Sequence, residues 1–193
     1  WDDTVQAEQA LARALALAEA DHNQPLAGLA LRVLAGVAVR QKAYEAANYW
    51  IADGLSIWQK LGGNWHIAWL YAHQGDMAWE QGNQTGAWLA YEASTKLPVN
   101  PGARAYPLRR MAYLALGRGD TTSALALCRE SLQLNLASGD RQGIAACLVG
   151  VARMSVQHAQ SLTETTRRLM LRRAVQLLGA GEELLQTVEG RLL

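Results

Sequence analysis

Phenylalanine is absent from this chain of 193 residues, and cysteine and proline are scarce, with two and four residues. Valine and isoleucine, which favour strands, together number 14, against 34 alanines and 30 leucines. Small and unbranched side chains lose little conformational freedom in a helix. The composition therefore excludes an all-β fold, disfavours a parallel α/β fold and predicts an all-α protein.

Long apolar runs and a signal peptide are also missing. No stretch approaches the ~20 apolar residues that a membrane-spanning helix needs, and the N-terminal residues do not resemble a secretory signal. Cys128 and Cys147 lie among apolar neighbours, which is typical of reduced thiols in a core. The net charge of +1 gives no general attraction to nucleic acid or anionic lipid. These absences predict a cytoplasmic protein without membrane contact.

Catalytic and metal-binding signatures are missing as well. The sequence contains no phosphate-binding G-x-x-x-x-G-K-[ST] loop and no H-E-x-x-H, C-x-x-C or G-x-S-x-G motif. None of the four histidines has a second ligand-type residue four positions further along a helical face. We therefore expect no enzymatic activity, no metal and no cofactor.

Three segments of the sequence share one pattern of small, turn and apolar residues. The alanines that anchor it are Ala47, Ala87 and Ala124, which lie 40 and 37 residues apart. Gly82-Asn83 and Gly119-Asp120 are turn dipeptides that tolerate the left-handed backbone needed to reverse direction. Each unit is thus predicted to be a helix, a short turn and a second helix that packs back on the first.

This pattern resembles the tetratricopeptide repeat (TPR), a helical hairpin of about 34 residues. The first hairpin departs from the TPR pattern, because Lys42-Ala43 stands where a turn glycine is usual. The resemblance implies an α-α superhelix, a solenoid of about ten helices in antiparallel pairs. The predicted organisation is a single domain over 1–193, with a half-repeat at 1–23, hairpins at 24–63, 64–102 and 103–138, and a closing hairpin at 139–193. The last helix is expected to break at Gly179–Gly181.

The C-terminal part of the sequence carries a second resemblance. Ser138–Ala145, Leu148–Ala152 and Ala174–Glu182 are similar to phrases in bacterial transcriptional regulators of the MalT/LuxR and SARP/AfsR types. In those proteins such phrases belong to helical repeats that follow an ATPase domain. The resemblance implies the sensor or interaction region of such a regulator. Because the chain opens on Trp1-Asp2-Asp3, without methionine and within a hairpin, we expect a fragment of a larger protein.

In TPR arrays the first helix of each hairpin lines the concave surface, so the resemblance also implies a set of binding residues. Arginine offers a planar fork for carboxylates and phosphates, and indole rings supply rigid contact area. Packing between helices is the competing explanation for the tryptophans, Trp65 among them. The predicted ligand- or partner-binding residues are Arg32, Arg40, Trp69, His73, Asp76, Trp79, Arg109, Arg110, Tyr113 and Arg153, with Met154 beside the last of them.

The leading interpretation of this face is a non-catalytic module that binds a protein or peptide. The alternatives are a sensor that binds a small-molecule effector in the same groove, and a structural or dimerisation scaffold. Four arginines between residues 167 and 173 alternate with an apolar stripe, which favours an exposed basic helix face over contact with nucleic acid. Self-association is expected through the ends of the solenoid, at an apolar edge of the N-terminal helix formed by Val5, Leu11 and Leu15.

Overall fold

The computed structural model describes residues 2–159 and 164–189 of the chain. Over these residues every regular element is an α-helix, and there are nine of them. They are α1 (Asp2–Ala20), α2 (Gln24–Gln41), α3 (Tyr44–Leu61), α4 (Asn64–Glu80), α5 (Gln84–Lys96), α6 (Pro101–Gly117), α7 (Thr121–Ser138), α8 (Arg141–Ala159) and α9 (Glu164–Glu189). The prediction of an all-α chain is confirmed for this described part.

One turn geometry recurs at six of the junctions between helices. A residue with a left-handed backbone follows the helix in each case, at His22, Lys42, Gly62, Gly82, Gly119 and Gly139, with φ between 54° and 80°. The next residue donates its N–H to a carbonyl in the preceding helix, as from Asn83 to Ala78 at 2.8 Å. This hydrogen bond ends the helix and reverses the chain. The linker between α5 and α6 is built differently, because Leu97 has an extended backbone.

The start of the following helix is capped by a side chain at four of these turns. Asn23 accepts a hydrogen bond from the N–H of Leu26 at 3.1 Å, and Asn83 accepts one from Gly86 at 2.8 Å. Asp120 and Asp140 do the same for Ser123 and Gly143, each at 3.0 Å. The turn before α3 has Ala43 in this position and therefore no side-chain cap.

We expect Ala43→Asn to stabilise the protein. The backbone at Ala43 (φ −82°, ψ 67°) is close to that at the capping residue Asn83 (φ −80°, ψ 78°), so the new amide can accept a hydrogen bond without rearrangement. The gain is about 1 kcal/mol, to be measured by urea denaturation. Asn83→Ala is the reverse substitution at an equivalent turn and should cost about as much. A stability unchanged by Ala43→Asn would contradict the equivalence of the two turns.

Small residues bring the two helices of each hairpin together. Ala47, Ala87 and Ala124 are fully buried, as the sequence predicts. In two of the hairpins a serine hydroxyl also links the two helices by a hydrogen bond. Ser94 donates its hydroxyl to the carbonyl oxygen of Ala68 at 2.8 Å, and Ser131 donates to that of Ala105 at 2.7 Å. The same interaction therefore joins α4 to α5 and α6 to α7.

We expect Ala87→Leu to destabilise the protein by about 1–3 kcal/mol, because the added atoms overpack a contact that has no free space. Ala124→Leu should behave alike, since both alanines are 0% exposed. Ala126→Leu is the matched control, because Ala126 lies on α7 but faces solvent. Urea denaturation of the three variants measures the difference. Equal stability of Ala124→Leu and Ala126→Leu would show that the hairpin register is wrong.

The chain divides into two compact units, of which the first is Trp1–Ala103. In this unit α2 packs against α3, and α4 packs against α5. The first helices of these two hairpins, α2 and α4, also contact one another, and α1 packs against α2. A core cluster is formed by Ala35, Ile51, Trp58, Ile67 and Leu70. This packing places one face of α2 beside one face of α4.

The second compact unit is Arg104–Leu193. Its helix α8 packs against both α7 and α9. Cys128 and Cys147 are buried and unpaired, which confirms the prediction of reduced core thiols. Ser131 has one hydroxyl proton, and it is donated to the carbonyl oxygen of Ala105. In the 3.2 Å contact between Ser131 Oγ and Cys147 Sγ the thiol is therefore the donor. Asn135 donates to the same sulfur at 3.5 Å, so the polar atoms of this cluster satisfy one another.

Two expectations about the C-terminal helices are wrong. The helix α9 runs without a break through Gly179–Gly181, since Gly181 is buried against α8. A Cβ at Gly181 would lie 3.3 Å from the carbonyl oxygen of Ala145, so this glycine permits a close approach of two helices. Met154, expected beside a binding surface, is 1% exposed and belongs to the core.

The apolar edge expected on α1 is partly covered. Leu11 and Leu15 are half-buried because α1 packs against α2, whereas Leu17 is 66% exposed. The side chain of Val5 and the connection at 160–163 lie outside the described residues. The expected single repeat domain over 1–193 stays a prediction.

Candidate binding surface

The contact between α2 and α4 brings together residues that are four positions apart on each helix. Arg32, Gly36 and Arg40 follow one another along α2, and Trp65, Trp69 and His73 do so along α4. Residues at this spacing share one face of a helix. We call these six residues, with Asp76, the α2–α4 surface.

At one end of this surface a guanidinium lies over an indole. The Arg32 Cζ atom is 5.0 Å from the centre of the Trp65 ring, which is a cation–π contact. Arg32 is half-buried, and its Nε atom is buried without a hydrogen-bond partner. Burial lowers the pKa of Arg32 from its ordinary value, because the charged form loses hydration. No acidic side chain of the described residues pairs with it.

Aromatic rings continue from Trp65 in two directions. Trp65 lies edge-on to His66, with ring centres 4.9 Å apart, and His66 is stacked on Trp58 at 3.6 Å. Along α4, Trp69 is 6.2 Å from Trp65 and 6.0 Å from His73. Such edge and stacked arrangements hold rings in defined positions. The surface is therefore aromatic along α4 and cationic along α2.

His73 occupies the middle of the surface, where Gly36 allows the imidazole to approach α2. A Cβ at Gly36 would lie 2.9 Å from Cε1 of His73. Burial lowers the pKa of His73 to about 4, and the charges of Arg32 and Arg40 act in the same direction, against the opposing effect of Asp76. His73 is therefore neutral at pH 7, and the positive charge of this surface comes from the arginines. Arg40 itself is exposed.

Asp76, towards the other end of α4, contacts the next helix. Asp76 accepts a hydrogen bond from the hydroxyl of Tyr91 at 2.7 Å, and Tyr91 is fully buried on α5. Trp79 is half-buried. Asp76 thus holds α5 to α4, in addition to its electrostatic effect on His73.

The remaining predicted residues lie in the second unit. Arg109 Cζ lies between two rings of its own helix, 5.3 Å from Tyr106 and 5.8 Å from Tyr113. Tyr113 donates its hydroxyl to the carbonyl oxygen of Ala146 at 3.1 Å, so it joins α6 to α8. Arg110 is half-buried and Arg153 is exposed. In the first unit the structure brings together Arg32, Arg40, Trp69, His73 and Asp76. The second unit contains the other four predicted residues, which are Arg109, Arg110, Tyr113 and Arg153.

The sequence interpretation missed the role of three residues around Arg32. Trp58 and His66 belong to different helices, and only the turn at Gly62-Gly63 brings their rings together. Trp65 was detectable, because it precedes Trp69 and His73 by four and eight positions on one helical stripe.

Among the described residues no group of three or more histidine, cysteine or acidic side chains is arranged to hold a metal ion. Within 2–159 and 164–189, no helix has both the length and the apolar character that crossing a membrane requires. No protein-family model and no curated protein matches the chain.

Proposed function

We propose that this chain is a non-catalytic binding module whose α2–α4 surface binds a peptide segment of another protein. The observation that carries the proposal is the Arg32 guanidinium, which lies on the Trp65 ring and has no acidic partner in the described part of the chain. Arginine and tryptophan are the residues that most often dominate binding interfaces. Here Arg32 lies over Trp65, which is 38% exposed and forms a row with Trp69 and His73 along α4.

The proposal includes a TPR-like solenoid as the architecture. Three observations support it: the recurring left-handed turn, the paired serine hydrogen bonds of Ser94 and Ser131, and the contact between α2 and α4. In a TPR array the first helices of successive hairpins line one surface, which is the position that α2 and α4 take in this proposal. A superhelix of such hairpins presents an extended concave face to a ligand.

The similarity of Ser138–Ala145 and Ala174–Glu182 to bacterial regulators supports the proposal that this module is part of a larger protein. In this setting the module belongs to a cytoplasmic transcriptional regulator and passes the binding event to its other domains. This part of the proposal depends on sequence resemblance and not on the chemistry of the α2–α4 surface.

Selection of peptides from two random phage-displayed libraries, one with free N-termini and one with free C-termini, on the immobilised chain tests the binding function. We expect a consensus sequence to be enriched, and its synthetic peptide to lose at least tenfold in affinity for the double variant Arg40→Glu/Trp69→Ala. Arg129→Glu/Leu136→Ala is the matched control, since both residues are exposed on α7. Circular dichroism verifies that helicity is unchanged. No consensus, or equal binding by both double variants, would refute the proposal.

A sensor for a small-molecule effector is the second candidate, and the aromatic row Trp65–Trp69–His73 is the observation that favours it. Flat rings bind a small planar molecule as well as a peptide side chain. A scaffold that associates with a second copy through α1 is the third, based on the exposure of Leu17. Sedimentation velocity of Leu17→Glu against the native chain separates this candidate from the other two.

A further inference from the structure

Three buried nitrogen atoms near Arg32 have no hydrogen-bond partner. They are Arg32 Nε, Trp58 Nε1 and His66 Nδ1. The first two always carry a hydrogen, and the third does so in one tautomer of a neutral imidazole. An unsatisfied buried donor destabilises the folded chain, and most such groups in proteins do find a partner. Because these nitrogens are buried, a ligand can reach only the half-buried Arg32 side chain and the exposed part of Trp65 beside them.

The three atoms belong to a continuous cluster of side chains. His66 is stacked on Trp58 with the ring planes only 3° apart, and Trp65 touches both His66 and Arg32. Trp58 Nε1 lies against Gly28, one helical turn before Arg32, where a Cβ would be 2.8 Å away. We call Arg32, Trp58, Trp65 and His66 the Arg32 cluster.

Among the described residues no acidic side chain pairs with the positive charge of this cluster. Arg32 is the only cation in it that keeps its charge at neutral pH, because burial and the nearby Arg32 charge lower the pKa of His66. The nearest acid of the α2–α4 surface, Asp76, is hydrogen-bonded to Tyr91. A half-buried guanidinium without a counter-ion loses hydration and gains no ion pair in return. An anionic ligand would supply that ion pair.

We propose that the Arg32 cluster binds a carboxylate that is carried next to a flat apolar group. This inference rests on the proposed binding function and names the chemistry of its ligand. The guanidinium fork matches the two oxygens of a carboxylate, and the side chain is reachable from solvent because it is only half-buried. The flat group lies on Trp65, which is 38% exposed, and on Trp69 beside it.

Two sources supply this chemistry: a free aromatic carboxylic acid, and the terminal carboxylate of a peptide that ends in an aromatic residue. The probes are benzoate for the first source and acetyl-Gly-Gly-Phe for the second. Benzamide and the C-terminal amide of the peptide are their neutral counterparts. A peptide that binds at least tenfold more tightly than benzoate identifies a chain terminus as the source, and the reverse order identifies a free acid.

The experiment is a titration of the full 193-residue chain followed by NMR of the arginine Nε–H and tryptophan Nε1–H signals. We expect benzoate to shift the signals of Arg32 and Trp65, and benzamide to leave them in place. Arg32→Gln should weaken benzoate binding at least tenfold. Arg13→Gln is the matched control, because Arg13 is an exposed arginine of the same unit, on α1.

Equal shifts with benzoate and benzamide would overturn the inference, as would benzoate binding that is unaffected by Arg32→Gln. If Arg32→Gln does not fold, Arg32→Lys replaces it, since lysine keeps the charge and lacks the fork; undiminished binding by that variant overturns the inference. Library peptides that depend on Trp69 but bind equally as acids and amides would leave the proposed function standing and remove only this inference. Benzoate binding without any peptide consensus would remove the peptide function and retain the carboxylate site.

Discussion

Replacement of Tyr91 by alanine is expected to lower the free energy of unfolding by about 3–5 kcal/mol, the range for removal of a large buried aromatic side chain. Tyr91 is 0% exposed, and its ring lies directly on the backbone of Gly75. Its hydroxyl is bonded to Asp76 at 2.7 Å. The substitution therefore leaves a cavity between α4 and α5 and removes the donor from a carboxylate. Urea denaturation followed by circular dichroism measures the change.

Two further variants separate these contributions. Tyr91→Phe removes only the hydroxyl and should cost about 1.5–3 kcal/mol, as for hydrogen bonds to charged groups. Gly75→Ala should be strongly destabilising in the native chain, because its Cβ would lie 2.5 Å from Cε1 of Tyr91. In the Tyr91→Ala background the same substitution should be tolerated, since the ring is gone and alanine favours a helix. Additive effects of Gly75→Ala and Tyr91→Ala would show that this contact is misplaced.

The stability of the protein is expected to fall as the pH is lowered from 6.5 to 4, by about 3 kcal/mol through His73 alone. The pKa of His73 is about 4 in the folded chain, against 6.5 for an ordinary histidine. Between pH 6.5 and 4 the imidazole of His73 is mostly protonated in the unfolded chain but not in the folded chain, so acidification favours unfolding. The charged groups that act on His73 are Asp76, Arg32 and Arg40, and burial is the largest cause. The loss should level off once the pH passes below 4.

The variant His73→Gln tests this assignment, because glutamine does not titrate. Its stability should change much less between pH 6.5 and 4.5 than that of the native chain. Some pH dependence should remain, since burial and the Arg32 charge lower the pKa of His66 as well. His22→Asn is the matched control: His22 is exposed in a left-handed turn that asparagine tolerates, and the full pH dependence should persist. Parallel curves for His73→Gln and the native chain would refute the assignment.

The sequence was sufficient to predict the hairpins, because their determinants are local. A left-handed residue at Gly82 or Gly119 and a small residue at Ala87 or Ala124 constrain the backbone almost regardless of what surrounds them. The break expected at Gly179–Gly181 failed for a non-local reason. From the sequence alone, a glycine within a helix predicts a break. Gly181 is instead needed because α8 lies so close that a side chain at this position would crowd it.

The composition of the candidate site was predictable only in part. Arg32, Trp69 and His73 follow from helical spacing within the TPR pattern, which assigns a face to each residue. Spacing along one helix does not reveal which side chains of other helices meet that face. The stack of Trp58 on His66 and the bond from Tyr91 to Asp76 depend on how α3 and α5 pack, so no pattern within a single helix indicates them.

Because the same turn recurs in the first unit, the chain before one turn could be joined to the chain after another without a change in turn geometry. Lys42 and Gly82 have the same left-handed backbone, at φ 61° and 76°, and each is followed by a residue that starts the next helix. Removing residues 42–81 would therefore join α2 to α5 through a turn that already exists in the protein. Duplication of the same segment would lengthen the chain by one hairpin without a new kind of junction. The number of hairpins could therefore change by deletion or duplication while the geometry of each turn stays the same.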